Sequence, residues 1–192
     1  MATSLKIYYL FFISSLFTHM QVLATFSCSG TTCTCQQAVC VKDCGYQSCQ
    51  NWKFQADASW TSSTLQITCS GSESCTGAEI KSTFAKLELY CTGNEGCVDL
   101  TLTGSPTVTE VTSSANQAME GVEFTSTFSS SQLTMTCSVY KSCKDVKIKG
   151  GSNIGSIDLS CGTSSTTCQN FKFEGTAGFI NVDCLKYHAC LG

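Results

Sequence analysis

The sequence predicts an all-β fold, a right-handed parallel β-helix of about six coils, and three observations carry that expectation. First, "LQITCSGSESCTGAEIKS" from Leu65 is followed by "LELYCTGNEGCVDLTLTG" from Leu87, and the second reads as a copy of the first. The step from Cys69 to Cys91 is 22 residues, a period that marks stacked supersecondary units. Second, apolar residues recur two apart on either side of each cysteine pair, as they do in strands with one buried face. Third, helical periodicity is absent, while Ser, Thr and Gly are abundant.

Taken in order, residues 1–24 carry one charge, Lys6, an apolar run from Ile7 to Phe17, and Val22-Leu23-Ala24 ahead of a cleavage point. The run is shorter than the roughly 18 residues a spanning helix needs, so this segment reads as a secretory signal peptide. The remaining chain has all 16 Cys and no Arg. A high, even cysteine count behind a signal peptide points to disulfides in an oxidising compartment, not to thiolate metal ligands. Without Lys6, 10 Lys face 14 Asp plus Glu, a net charge of −4. That balance argues against nucleic acid and anionic membranes as partners, and no second hydrophobic tail suggests a membrane anchor.

Residues 25–48 are expected to form a cysteine-rich N-terminal cap. The stretch holding Cys28, Cys33, Cys35, Cys40, Cys44 and Cys49 has few apolar residues and must be held by disulfides, whose connectivity the sequence leaves open. Residues 49–192 form the repeat domain, with "CQNWKF" at Cys49 recurring as "CQNFKF" at Cys168. Counting from the second cysteine of each unit, the third residue is Trp52, Ala78, Leu100, Val122, Val146 or Phe171. The fifth is Phe54, Ile80, Leu102, Phe124, Ile148 or Phe173. Both columns are apolar throughout and define one strand per unit. The seventh is small, as Ala56, Ser82, Gly104, Ser126, Gly150 or Gly175, which suits a bend out of the strand. A second strand precedes the first cysteine, with Leu65/Ile67, Leu87/Leu89, Leu133/Met135, Ile157/Leu159 and Ile180/Val182. Upstream of these, Trp60, Phe84, Phe128 and Ile154 are expected to line a further corner.

One unit lacks cysteines: Ser113 stands for the first and Met119 for the second. Their joint loss is what pairing within a unit requires, because losing one would leave a free thiol. Pairing between adjacent units also leaves no thiol over, so parity does not decide. Within-unit bonds would join Cys69 to Cys75, Cys91 to Cys97, Cys137 to Cys143, Cys161 to Cys168 and Cys184 to Cys190. Closing a seven-residue loop restricts the unfolded chain by about 2.4 kcal/mol on the chain-entropy model. An antiparallel β-sandwich would explain the alternation equally well, but not the constant spacing of whole units.

Outward positions supply the candidate sites. The column Gln66, Glu88, Glu110, Thr134, Asp158 and Asn181 is largely acidic or amide, and Glu88 and Glu110 on adjacent coils would repel. That invites an oxygen-ligated cation such as calcium, against the plainer reading of a solvated face. The column Lys53, Glu79, Thr101, Glu123, Lys147 and Lys172 mixes signs, as solubilising surface does. Turns between cysteines carry Asn94, Tyr140 and Tyr187, residues that stack on and hydrogen-bond to sugars. Catalysis has little support: the segment after the signal has one histidine, His188, and neither Gly-x-Ser-x-Gly nor His-Glu-x-x-His occurs. No cofactor is implied. The last unit carries no second strand after Cys190, so either its half-coil from Cys184 caps Phe171 and Phe173 by itself or another molecule stacks there, by end-to-end self-association or docking onto a larger matrix or glycans.

The units "CSGSESCTGAEIK" and "CTGNEGCVDLTL" resemble the Cys-x5-Cys repeats of large secreted and cell-surface proteins of algae and other protists, thought to be disulfide-clipped β-helices. The likeness spans about Cys49 to Cys190 and has no catalytic residues to carry over. The Cys-free unit and the dense N-terminal cluster depart from it. The resemblance implies an extracellular structural or adhesive role. The sequence reading is therefore a secreted, non-enzymatic scaffold of an extracellular matrix, coat or filament. Its alternatives are a carbohydrate- or calcium/mineral-binding module, a secreted ligand or toxin-like effector, and a degenerate β-helical polysaccharide enzyme.

Overall fold

The computed structural model describes residues 24–25, 27–35, 39–56, 63–149, 153–185 and 189–190. Residues 1–23, which hold all of the expected signal peptide but Ala24, lie outside the described residues, as do Trp60, Gly150, Tyr187 and His188. Among the described residues there is no helix. The strands, in chain order, begin with β1 (Ala24–Thr25), β2 (Ser27–Ser29), β3 (Thr32–Cys35), β4 (Val39–Cys44), β5 (Lys53–Ala56), β6 (Thr64–Cys69), β7 (Glu79–Ser82) and β8 (Lys86–Cys91). They continue with β9 (Thr101–Gly104), β10 (Val108–Ser113), β11 (Glu123–Phe124), β12 (Ser129–Cys137), β13 (Lys147–Ile148), β14 (Asn153–Cys161), β15 (Lys172–Phe173) and β16 (Thr176–Cys184).

From β3 onward successive strands alternate between two sheets, which is how a chain with two apolar strands per unit encloses a core between them. One sheet runs β1-β4-β6-β8-β10-β12-β14-β16 and the other β15-β13-β11-β9-β7-β5-β3-β2. All pairings are parallel except β2 with β3. The fold is a parallel β-solenoid, and the sandwich alternative is excluded by this order.

Register follows the expected columns residue by residue. Phe54, Ile80, Leu102, Phe124, Ile148 and Phe173 stack in line, as do Leu65, Leu87, Thr109, Leu133, Ile157 and Ile180. The inward members are buried as far as Leu159, with alternate burial along β6, β8 and β10. At roughly 25 cal/mol per Å² of apolar surface removed from water, this double column is the main driving force for the fold.

The cysteine-rich segment expected to cap the array continues both sheets. β3 pairs with β5 and β4 with β6, and Cys44 stands in register with Cys69. Cys33 and Cys40 occupy the inward positions that Phe54 and Leu65 take on the next level, Cys35 stands in line with Ala56 and Cys44 with Cys69, and all four are buried. Two of the bonds left open by the sequence are Cys35–Cys40 and Cys44–Cys49. Cys33 is also disulfide-bonded.

At the corner between the sheets, Phe84, Phe128 and Ile154 are buried, as expected. Ile154 stacks on Ser130 rather than on Phe128, because β12 and β14 are nine residues long and begin earlier than the six-residue strands below them. Gly104 ends β9 at φ +107°, and a Cβ there would lie 2.1 Å from the Ser82 carbonyl oxygen. Only glycine fits at that bend.

Candidate functional site

The arc between the two sheets is the most regular part of the surface, and it begins with the disulfides. Each bond closes within one level: Cys69–Cys75, Cys91–Cys97, Cys137–Cys143, Cys161–Cys168 and Cys184–Cys190, with Cα separations of 5.8 to 6.2 Å. The alternative of bonds between adjacent units is thereby excluded. In the Cys-free level, Ser113 lies in register between Cys91 and Cys137, and its hydroxyl donates to the Ser142 carbonyl at 3.0 Å. Met119 is fully buried beside it.

Two residues on either side of the second cysteine, or of Met119, the backbone turns left-handed. The pairs are Gln47/Asn51, Glu73/Gly77, Glu95/Asp99, Gln117/Gly121, Lys141/Asp145 and Thr166/Asn170. This repeated turn lets the arc bond upward to the next level as a strand does. The amide of Asn51 donates to Thr76, Gly77 to Val98, Asp99 to Glu120, Gly121 to Lys144 and Asp145 to Gln169, at 2.8 to 3.0 Å. The second member of every pair is Asn, Asp or Gly, the residues that adopt this conformation most readily. The column Asn51, Gly77, Asp99, Gly121, Asp145 and Asn170 is legible in the sequence two places after each second cysteine, yet the search for apolar columns passes over it.

The same ladder defines an exposed column on the arc. Gln47 donates to Ser72, Glu73 to Asn94, Glu95 to Asn116 and Gln117 to Tyr140. Residues immediately before the first left-handed position therefore stack as Tyr46, Ser72, Asn94, Asn116 and Tyr140. Two of the three residues expected to touch sugars, Asn94 and Tyr140, share this line, about 10 Å apart at strand spacing. The third, Tyr187, lies outside the described residues. Tyr46 and Asn116 join them unforeseen. Tyr46 is 70% exposed and Tyr140 44%, with the Lys141 ammonium 5.1 Å from the Tyr140 ring centre.

Glu88 and Glu110 are in direct register, as the acidic column required. Lys86 sits between them, its Nζ 2.7 Å from Glu88 and 2.9 Å from Glu110. The repulsion that invited a metal ion is thus met by a lysine on the same strand face. Hydrogen bonds to Glu88 and then to Glu110 hold the Lys86 pKa above the ordinary lysine range. Burial, followed by the two carboxylates, raises Tyr90 beside them.

A second charged group lies along the left-handed column, in an open groove of about 560 Å³ lined by Asp99, Glu120, Asp145, Lys147, Asn170 and Lys172. Lys144 pairs with both Glu120 and Asp145 there. Its hydrogen bond lowers the Glu120 pKa, and the Asn170 amide, 2.9 Å from Asp145 Oδ1, does most to lower that of Asp145. The carboxylates are ionised and paired, which suits a surface ladder better than proton transfer. A second recess, about 390 Å³ beside Ser105, Pro106, Thr107, Ser129, Ser131 and Asn153, has no titratable side chain in its wall. The sulfurs of Cys161, Cys184 and Cys190 lie close together, but all three are oxidised.

Comparison with protein-family models, characterised proteins and solved structures found no match.

Proposed function

We propose that this chain is a secreted scaffold or adhesive rod of an extracellular matrix, coat or filament, without enzymatic activity. The observation that carries the reading is the closure of successive levels by their own disulfides. Such a rod resists local opening in an oxidising environment, where each clip stays made. The resemblance to algal and protist Cys-x5-Cys surface proteins supports the same role, as does a surface of paired charges and short polar side chains. Immunolocalisation in the native tissue tests it: an extracellular layer that retains the protein under mild washing is expected. Protein confined to cells, or found free in the surrounding fluid, would sink the idea.

A second reading rests on the arc. Tyr46, Ser72, Asn94, Asn116 and Tyr140 form a straight polar track with an aromatic ring at each end, dimensions suited to an extended oligosaccharide. Binding to a glycan array, lost in Tyr140→Ala and weakened in Asn94→Ala, is expected on this reading. Absence of binding by the intact protein, or binding indifferent to both changes, removes it.

A further inference from the structure

The two ends of the rod differ. At the N-terminal end, β2 folds back antiparallel along β3 and occupies the outer edge of one sheet. At the other end, β15 and β16 each pair on one side only among the described residues. There β16 runs nine residues with Asp183 as its single charge and no proline. Native edges of that length are normally blunted by lysine, proline or a covering element. Its inward residues Ile180 and Val182 are 46% and 47% exposed, Leu185 is 58% exposed, and Phe171 and Phe173 are only half-buried.

We propose that this end is the contact surface for a second copy of the chain, joined tail to tail about a two-fold axis. Charge order on β15 selects the partner. The edge reads Lys172-Phe173-Glu174, with Lys172 and Glu174 exposed and Phe173 turned inward. An axis through Phe173 sets each Phe173 against its own copy and each Lys172 against the partner's Glu174. Directly opposed side chains in an antiparallel pair lie on the same face, so both ion pairs form outside while the rings meet inside. On β16, a register centred on Asn181 likewise sets Ile180 against the partner's Val182. One two-fold axis continues both sheets and covers the apolar columns.

Head-to-tail stacking would have to use the two-residue β1 and the three-residue β2, which runs antiparallel to the sheet it borders, and neither offers an edge matched to β16. It would also generate an open filament, whereas an isologous contact closes at two copies. The assembly is a double-length rod with both N-terminal ends outward.

Sedimentation velocity of the secreted, disulfide-intact chain tests this over a range of concentrations. A monomer–dimer equilibrium with nothing larger is expected. Glu174→Lys turns two attractive pairs into two repulsive ones and should raise the dimer Kd on the order of tenfold. Lys172→Glu should do the same. The double swap Lys172→Glu with Glu174→Lys restores complementarity and should recover the dimer, a result that a purely local role for either residue does not produce. A monomer at every concentration, species growing beyond two, silent single swaps or an unrescued double swap would each overturn the proposal. The measurement is independent of where the protein works, so its failure leaves the localisation test of the scaffold role intact.

Discussion

The Cys-free level offers a way to weigh one clip with its packing held constant. Cys91→Ser with Cys97→Met transplants the Ser113/Met119 pair one level down, into positions already in register with it. In the native level the buried Ser113 hydroxyl donates to the Ser142 carbonyl at 3.0 Å, and the corresponding acceptor for a serine at 91 is the Ala118 carbonyl. The Cys91–Cys97 bond has a sequence separation of 6, a seven-residue loop. Opening that loop returns about 2.4 kcal/mol of entropy to the unfolded chain. The new hydroxyl bond recovers at most about 1 kcal/mol. A net loss of about 1.5 to 2.5 kcal/mol is therefore expected. For a chain of this size that lowers Tm by about 3 to 10 °C. Equilibrium urea unfolding with the other disulfides intact measures it, with hydrogen exchange across β9 and β10 reporting whether the loss stays local. Cys91→Ala with Cys97→Ala should cost more, because it also leaves a cavity. A transplant that costs nothing would show that the clip does not act through the unfolded chain. One as costly as the double alanine would refute the claim that methionine fills the disulfide's space.

Three further outcomes are expected. Lys86→Ala leaves Glu88 facing Glu110, so it should lower stability by up to about 1 kcal/mol at low salt, less at high salt, and create weak calcium binding that calorimetry can detect. Because the Lys86 pKa is raised, its contribution is complete below the ordinary lysine pKa and disappears only as pH climbs through the higher folded value. Glu120 and Asp145 are lowered, so their contribution is complete above the ordinary carboxylate range and fades as pH falls through the folded values. Lys144→Met should flatten that acid limb in thermal scans from pH 5 to about pH 2. Gly121 sits at φ +73°, where a Cβ would meet Asp99 Oδ1 at 2.4 Å, so Gly121→Val should cost at least about 1 to 2 kcal/mol in chemical unfolding.

Why the strands were legible and other features less so comes down to what repeats in the code. Phe54 to Phe173 are apolar at a fixed offset from cysteine, as are Leu65 to Ile180 apart from Thr109, and a one-residue slip would turn either column to solvent. The strands β3 and β4 were hidden because their inward places hold cysteines, which read as crosslinks before they read as core. The stacking of Ile154 on Ser130 was missed because the longer levels add residues at the corner, away from the cysteine reference. Lys86 was overlooked as the partner of Glu88 and Glu110, although a lysine two residues before Glu88 shares its face of the strand. On the arc, Asn94 and Tyr140 were chosen for side-chain chemistry alone. Only the hydrogen-bond ladder shows that Tyr46 and Asn116 belong with them.

The left-handed positions flank Cys49, Cys75, Cys97, Met119, Cys143 and Cys168 at a constant offset, while the opposite corner accommodates levels of different length. Insertions and deletions should therefore survive at that corner, and on the arc only ahead of the first left-handed position, where the cysteine separation already runs from 5 to 7. A duplicated segment of one period would arrive with its own turn, its own crosslink and both of its strands. Length in such a protein is a heritable variable that can drift by whole rungs, letting a lineage adjust reach without redesigning any contact.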